Sequence, residues 1–299
     1  MLFRVRQNLK HRNFLRKVRL VADTPPMPVV DAPLSIVSMV SKRDILMYLL
    51  SMKAFYRKVG KGKLVAIVDR DTPRQDLALL AEHFPGIRFE ILEDIDPGTC
   101  QRGGTWERLV YLVRHSEHEY AIQVDCDTMV TGSDLDEVVA CIRQNRSFTY
   151  SDFHRTPRTL LEIADESDNF PSDYVGILLE RKFRDWPDAD RLLYARASSG
   201  LAGFAHGGFS LAALEDFHDR MKHSLGPRWR DWGTEQSGSN FAISNAPGTT
   251  ILPYPEYATF PLEGSYNRSK FLHYIGSNRY DHGHFAREGQ RVIRELLGR

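Results

Sequence analysis

The sequence predicts an α/β domain with a mostly parallel central sheet flanked by helices, carrying a helical insertion and a basic N-terminal segment. Three observations predict it. From residue 33 onward, apolar runs of strand length alternate with stretches of helical period, in the order βαβα. Strand-like runs end in Asp-x-Asp pairs, at the strand end where open α/β sheets bind ligands. The chain has 299 residues, 42% hydrophobic and 26% charged, enough to bury one sizeable core.

Residues 1–32 form the first segment. Between Met1 and Leu20 lie Arg4, Arg6, Lys10, Arg12, Arg16, Lys17 and Arg19, with no acid before Asp23. Apolar residues are interleaved with them. A basic, partly amphipathic stretch of this kind lies on an anionic lipid surface or packs on its own domain as a solvated helix. Asp23 to Pro28 then reads as an extended linker, because proline stiffens the chain and removes donors.

The domain proper spans residues 33–299. Leu34–Val40 reads as a strand, Asp44–Tyr56 as a helix and Lys63–Val68 as a second strand. Arg74–Phe84 follows as a helix and Ile87–Leu92 as a third strand. Gly103 and Gly104 open a helix from Trp106 to about His115, which feeds the apolar run Tyr120–Val130. Residues 151–199 are polar, punctuated by proline and helix-prone, and read as an insertion over the site.

Asp-x-Asp occurs five times, at Asp69/Asp71, Asp94/Asp96, Asp125/Asp127, Asp134/Asp136 and Asp188/Asp190. Most of these pairs must be solvated turns. Asp125/Asp127 stands apart because Met129 and Val130 continue the apolar pattern, whereas Thr72-Pro73 breaks the strand after Asp71. Read as one strand, the run turns Asp125 and Asp127 to the same face. Two carboxylates there repel unless a cation sits between them, and a hard divalent ion, Mn²⁺ or Mg²⁺, prefers oxygen ligands. The alternative is a pair of exposed strand-end acids.

Gly203 to Leu211 is a small-residue turn in which Gly207 and Gly208 suit close approach of backbone to a ligand, or simply a tight turn. Residues 228–240 mix tryptophans, amides and an acid, suited to a sugar but equally to a core beside a helix cap. Near the end stands Phe271-Leu272-His273-Tyr274-Ile275-Gly276-Ser277-Asn278-Arg279. There is no G-x-G-x-x-G after the first strand and no phosphate-binding loop of the G-x-x-x-x-G-K-[ST] kind. Lys and Arg number 40 against 39 Asp and Glu, so net charge gives no steering toward nucleic acid.

An apolar strand ending in Asp-x-Asp, a Gly-containing turn, an acid-Gln segment and a late H-x-x-G-x-x-[basic] together resemble a GT-A-fold nucleotide-sugar glycosyltransferase. The likeness is greatest to the retaining glycogenin and bacterial galactosyltransferase type, and runs from about Leu34 to Tyr280. It implies that Asp125, Asp127 and His273 bind Mn²⁺, or Mg²⁺, and that Arg279 takes the place of the diphosphate-binding lysine, beside Gly276. It implies that Arg108, in Trp106-Glu107-Arg108-Leu109, contacts the donor sugar, and that the end of the first strand, Val40 and Ser41, meets the donor base. Glu235-Gln236-Ser237-Gly238-Ser239-Asn240 resembles the D-Q-D-x-x-N segment, with Glu235 and Ser237 replacing acids. Retention is implied, with Gln236 supporting the sugar's developing positive charge. Glu235 as a general base for inversion stays open.

The expected function is therefore transfer of a sugar from a nucleotide-sugar donor to a glycan, lipid-linked or other hydroxyl acceptor, as in polysaccharide biosynthesis. Two rivals remain: a non-catalytic nucleotide-sugar or glycan-binding module on the same fold, and a haloacid-type phosphatase, whose motif Met129 disfavours. Three cysteines, Cys100, Cys126 and Cys141, form no C-x-x-C pair and suit a reducing compartment. The expected location is cytoplasmic, with residues 1–20 as a peripheral contact at the inner face of the membrane.

Overall fold

A computed structural model describes residues 2–262 and 266–299. Its helices are α1 (Leu2–Val18), α2 (Ile45–Val59), α3 (Arg74–His83), α4 (Trp106–Ser116), α5 (Asp136–Arg143), α6 (Leu160–Ser167), α7 (Val175–Lys182), α8 (Leu211–Leu225), α9 (Thr234–Ser244) and α10 (His284–Leu296). Its strands are β1 (Leu34–Val40), β2 (Lys63–Val68), β3 (Arg88–Ile91), β4 (Tyr120–Val124), β5 (Thr128–Val130), β6 (Phe148–Tyr150), β7 (Arg158–Thr159), β8 (Leu193–Tyr194), β9 (Ser198–Phe204), β10 (Thr250–Leu252), β11 (Tyr257–Phe260) and β12 (Phe271–Tyr274). Seven strands make the central sheet, in the order β10-β6-β9-β4-β1-β2-β3. The pairs β1/β2, β2/β3 and β10/β6 are parallel, while β6/β9 is antiparallel.

The chain divides into two compact units, 1–93 with 124–136 and 255–299, and 94–123 with 137–254. In the first, β1 and β2 are almost wholly apolar and buried, as strands covered on both faces must be. Helix α2 is buried along most of its length, from Ile45 to Tyr56, and Gly60 in the left-handed region ends it. A second sheet of order β11-β12-β5 belongs to this unit, with β12 parallel to β11 and antiparallel to β5.

The N-terminal segment is docked on its own unit. Gln7, His11, Phe14 and Val18 recur at spacings of four, three and four and so share one stripe of α1. Phe14 stacks on Phe285 of α10 at 4.4 Å between ring centroids, and Lys10 pairs with Asp281 at 2.6 Å. The opposite stripe, Val5, Leu9, Arg12 and Arg16, is exposed. Of the expected linker, Asp23 ends a short 3-10 helix (Arg19–Asp23), and the rest has no regular structure but is tied down: Met27 and Val29 donate to the carbonyls of His83 and Pro85, and the buried Lys53 ammonium donates to the Pro25 carbonyl. Burial pulls the Lys53 pKa down to about 8.

In the second unit the core is aromatic. Trp106, Trp229, Phe217 and Phe241 pack in series, with Trp106 and Trp229 at 5.6 Å and Phe217 and Phe241 stacked at 4.5 Å. Trp229 is thus a core tryptophan, whereas Trp232 is 74% exposed. Residues 151–199, read as helix-prone, contain α6 and α7 and also the β7/β8 pair, which the sequence reading lacked. A buried network holds them together. Glu180 of α7 accepts from Arg196 and from Ser167 of α6, both hydroxyl and guanidinium within 2.8 Å.

Candidate functional site

The run Tyr120–Val130 is not one strand. β4 ends at Val124, residues 125–127 turn, and β5 belongs to the second sheet. Strand alternation therefore does not bring the two carboxylates together; the turn does. Its backbone is bound from several directions. Ser38 of β1 donates to the Val124 carbonyl at 2.6 Å, and Ser51 of α2 donates to the Asp125 carbonyl at 3.2 Å. Thr128 donates to the same carbonyl at 2.8 Å, and its hydroxyl also meets that of Ser51 at 2.7 Å. The Asp127 carbonyl accepts from the Tyr274 amide at 2.8 Å.

That last bond joins the turn to β12, whose register sets His273 opposite Thr128 of β5. The His273 Nε2 lies 3.2 Å from an Asp127 carboxylate oxygen and 3.8 Å from one of Asp125. Ligand atoms of the three residues all lie within 4.8 Å of one another. After β12, Gly276 takes a φ of +57°, a left-handed turn that glycine adopts without strain, and the chain folds back. Arg279 donates through Nε to the Tyr274 carbonyl at 2.9 Å and through its terminal nitrogen to Asp127 at 2.5 Å. Asp127 thus meets an imidazole on one oxygen and a guanidinium on the other.

The electrostatics follow. Burial pushes Asp127 toward its neutral form, but His273 and Arg279 outweigh it and hold the carboxyl below its ordinary value. Burial lowers His273, yet Asp127 and Asp125 raise it above its ordinary value. Asp44, just ahead of α2, is raised by its burial, against the pull of Arg279 and His11. Two carboxylates and an imidazole at this separation suit a divalent ion that takes oxygen and nitrogen ligands.

The other Asp-x-Asp pairs are turns or surface ion pairs, as expected. Asp71 pairs with Lys42, Asp96 accepts from the Gly98 amide, Asp134 pairs with Lys270 and Asp188 with Arg191.

Of the remaining expected site residues, Ser41, Gly276 and Arg279 line one polar cavity of about 380 Å³ in the first unit. Val40, the last residue of β1, is buried. Arg108, Glu235 and Gln236 are in the second unit, where Arg108 and Glu235 lie 3.6 Å apart and are both nearly inaccessible. The approach of α9 to α4 depends on Gly238, where a Cβ would stand 2.9 Å from Trp106 and 3.0 Å from Leu109. Glu235 also accepts from Thr105 at 2.9 Å, and the amide oxygen of Gln236 lies 3.5 Å from the Ser199 amide. Gly207 and Gly208 close a tight turn, donating to the carbonyls of Ser116 and Ala205.

Sequence reasoning missed Asp44, Ser51 and Tyr280. Asp44 had a signal, an acid four residues after the first strand; Ser51, inside an apolar helix, had none.

The mostly parallel sheet, with an Asp-x-Asp turn at the end of β4, has a GT-A-like fold, which comparison with solved glycosyltransferase structures bears out. The bifunctional glycosyltransferase WbbM superposes with a TM-score of 0.57 at 17% identity, over 92% of this chain and 53% of that one. The chain thus spans about half the length of WbbM. The galactosyltransferase LgtC, solved with donor and acceptor sugar analogues, matches with a TM-score of 0.52 at 11% identity, over 88% and 95% of the two chains. GlyE, a glycosyltransferase of Streptococcus pneumoniae, matches with a TM-score of 0.51 at 10% identity, over 88% and 63%. At such identities the likeness is one of fold. No protein-family model matches the chain, and no curated protein matches it in sequence.

Proposed function

We propose that the protein is a metal-dependent glycosyltransferase that moves a sugar from a nucleotide-sugar donor to a hydroxyl of a glycan or lipid-linked acceptor, with retention. The observation that carries this reading is the cluster of Asp125, Asp127 and His273 with the Arg279 guanidinium bonded to it, in a fold that glycosyltransferases share. Asp125, Asp127 and His273 are the residues to hold Mn²⁺ or Mg²⁺. A bound divalent ion supplies stabilisation of the negative charge that develops on the departing nucleoside diphosphate. Arg279 supplies a fixed cation with a planar fork for phosphate oxygens, needing no proton transfer.

Retention is supported by the company Glu235 keeps. Its carboxylate faces Arg108 and the Thr105 hydroxyl in the interior of the second unit. A carboxylate so engaged positions the guanidinium rather than awaiting an acceptor's proton. Gln236, its half-buried neighbour, is the residue suited to support the sugar's positive charge. An α-linked donor is expected to give an α-linked product by NMR, with nucleoside diphosphate released, and Glu235→Gln is expected to lose less than about tenfold in turnover. A β-linked product, with a loss of the ~10² to 10⁴ typical of a missing general base, overturns retention. Binding of nucleotide sugar without release of diphosphate leaves a binding module; phosphate release from monoesters leaves a phosphatase.

The domain assignment, residues 33–299 as the transferase with 1–32 as an accessory segment, belongs to the same proposal. So does peripheral membrane contact. Among the described residues, no helix is long and apolar enough to cross a membrane. The outward stripe of α1, with Val5 51% and Leu9 60% exposed beside Arg12 and Arg16, suits an anionic lipid surface. Each cation near such a surface contributes ~1 kcal/mol. Arg12→Glu with Arg16→Glu, which leaves the docked stripe intact, is expected to reduce sedimentation with phosphatidylserine vesicles at least about tenfold at low salt. Unchanged sedimentation removes the membrane contact.

A further inference from the structure

We infer that helix α1 is a wall of the donor's nucleoside pocket, with Gln7, Asn8 and His11 in contact with the nucleoside, an inference that rests on the function proposed above. The cavity of about 380 Å³ that adjoins Arg279 is enclosed on one side by these three residues. Facing them are Ser41 and Asp44, which follow β1, and Tyr280, which follows β12. None of the α1 residues belongs to the stretch of sequence that resembles the glycosyltransferases, which begins near Leu34.

Arg279 connects the cavity to the metal cluster. The same guanidinium lines the cavity and bonds Asp127. A diphosphate held by Arg279 and a metal at Asp125, Asp127 and His273 therefore leaves its nucleoside to occupy the space beside α1. The lining suits that occupant. Two amides, Gln7 and Asn8, each offer donors and an acceptor to the edge of a base. The Asp44 carboxylate offers acceptors to ribose hydroxyls, and the Tyr280 and His11 rings offer faces for stacking.

The helix is fixed in this position. His11 bonds the Tyr280 hydroxyl at 2.7 Å, Asn8 accepts from Arg43 at 3.0 Å, and Gln7 donates to the Ser277 carbonyl at 3.2 Å. Each bond ties α1 to one of the two loops that complete the cavity.

The test is calorimetric binding to the full chain, in Mn²⁺, of UDP, GDP and ADP, with inorganic pyrophosphate as the probe that lacks a nucleoside. The wild type is expected to bind at least one nucleoside diphosphate more tightly than pyrophosphate. Gln7→Ala combined with Asn8→Ala is expected to cut that excess at least tenfold while pyrophosphate binds as before. Leu9→Ala with Arg12→Ala, on the outward stripe of the same helix, serves as the control and is expected to change neither. These are solvent-facing or half-buried positions, where substitution leaves the fold intact. An undiminished excess in the Gln7/Asn8 variant overturns this inference alone. So does an equal loss for nucleotide and pyrophosphate, the mark of a helix that merely holds Arg279 in place. A wild type that binds neither probe overturns the proposed function and this inference with it.

Discussion

Asp127→Asn is expected to weaken Mn²⁺ binding by at least about 10²-fold and to remove turnover in proportion, because outer partners of a ligand alone are worth 10–100-fold. His273→Ala should do the same, and Asp94→Asn and Asp188→Asn should do neither. Titration calorimetry with Mn²⁺ checks all four, and identical behaviour of the four removes the assignment.

The pH dependence carries a sign that follows from the geometry. His273 ligates only when neutral, and its pKa lies above the ordinary 6.5, so Mn²⁺ affinity should rise as pH rises through that value, with release of a proton. The metal-free protein runs the other way. A raised histidine pKa gives a contribution to stability that is complete below 6.5 and is lost as pH climbs through the folded value. The depressed Asp127 gives one that is complete above its ordinary 3.8 and is lost as pH falls through its folded value. The pair thus stabilises the metal-free fold most between about pH 4 and 6.5. Thermal unfolding with and without Mn²⁺ should show the ion's stabilisation growing from pH 6 to 8.

The second large effect is expected at Arg279, and its two halves have opposite directions. The guanidinium is bonded to a carboxylate of the metal cluster, so removing it removes a competing cation. Arg279→Ala should therefore bind Mn²⁺ more tightly than the wild type when no nucleotide is present. With donor present, the loss of a fixed cation at the departing phosphate should lower turnover by ~10² to 10³, the range for removing one preorganised donor. Arg279→Lys should fall between the two, keeping the charge but not the fork. If Arg279→Ala weakens Mn²⁺ as much as Asp127→Asn does, the guanidinium supports the metal rather than competing with it.

The strands β1 and β2 were legible in the sequence because a sheet covered on both faces needs continuous apolar runs, and Leu34–Val40 and Lys63–Val68 are such runs. Of the five pairs, Asp125/Asp127 is the one that meets a histidine, though the reason for singling it out holds only in part. Met129 and Val130 are buried, but by β12 in another sheet, and an apolar residue reads the same whichever sheet it joins. The ion pair between Arg108 and Glu235 was equally illegible. Both residues were singled out, yet only the packing of α9 on α4 across Gly238 makes them partners. Residues 24–28 form neither helix nor strand, as their prolines suggest, whereas Asp23 ends a short 3-10 helix. That they are strapped down depends on acceptors and a donor at His83, Pro85 and Lys53, which no local pattern reveals.

The register of β5 against β12 also bears on the order in which the molecule assembles. His273 and Thr128 face each other although 145 positions apart in sequence, and Phe14 stacks on Phe285, 271 positions away. Contacts between such distant residues carry a large loop-closure entropy and form late. During synthesis, β1, β2 and the Asp125–Asp127 turn emerge long before the strand that supplies the imidazole. A nascent chain therefore holds two of the three candidate ligands without the third. A site built from all three candidate ligands is complete only once β12 has paired with β5 in the first unit.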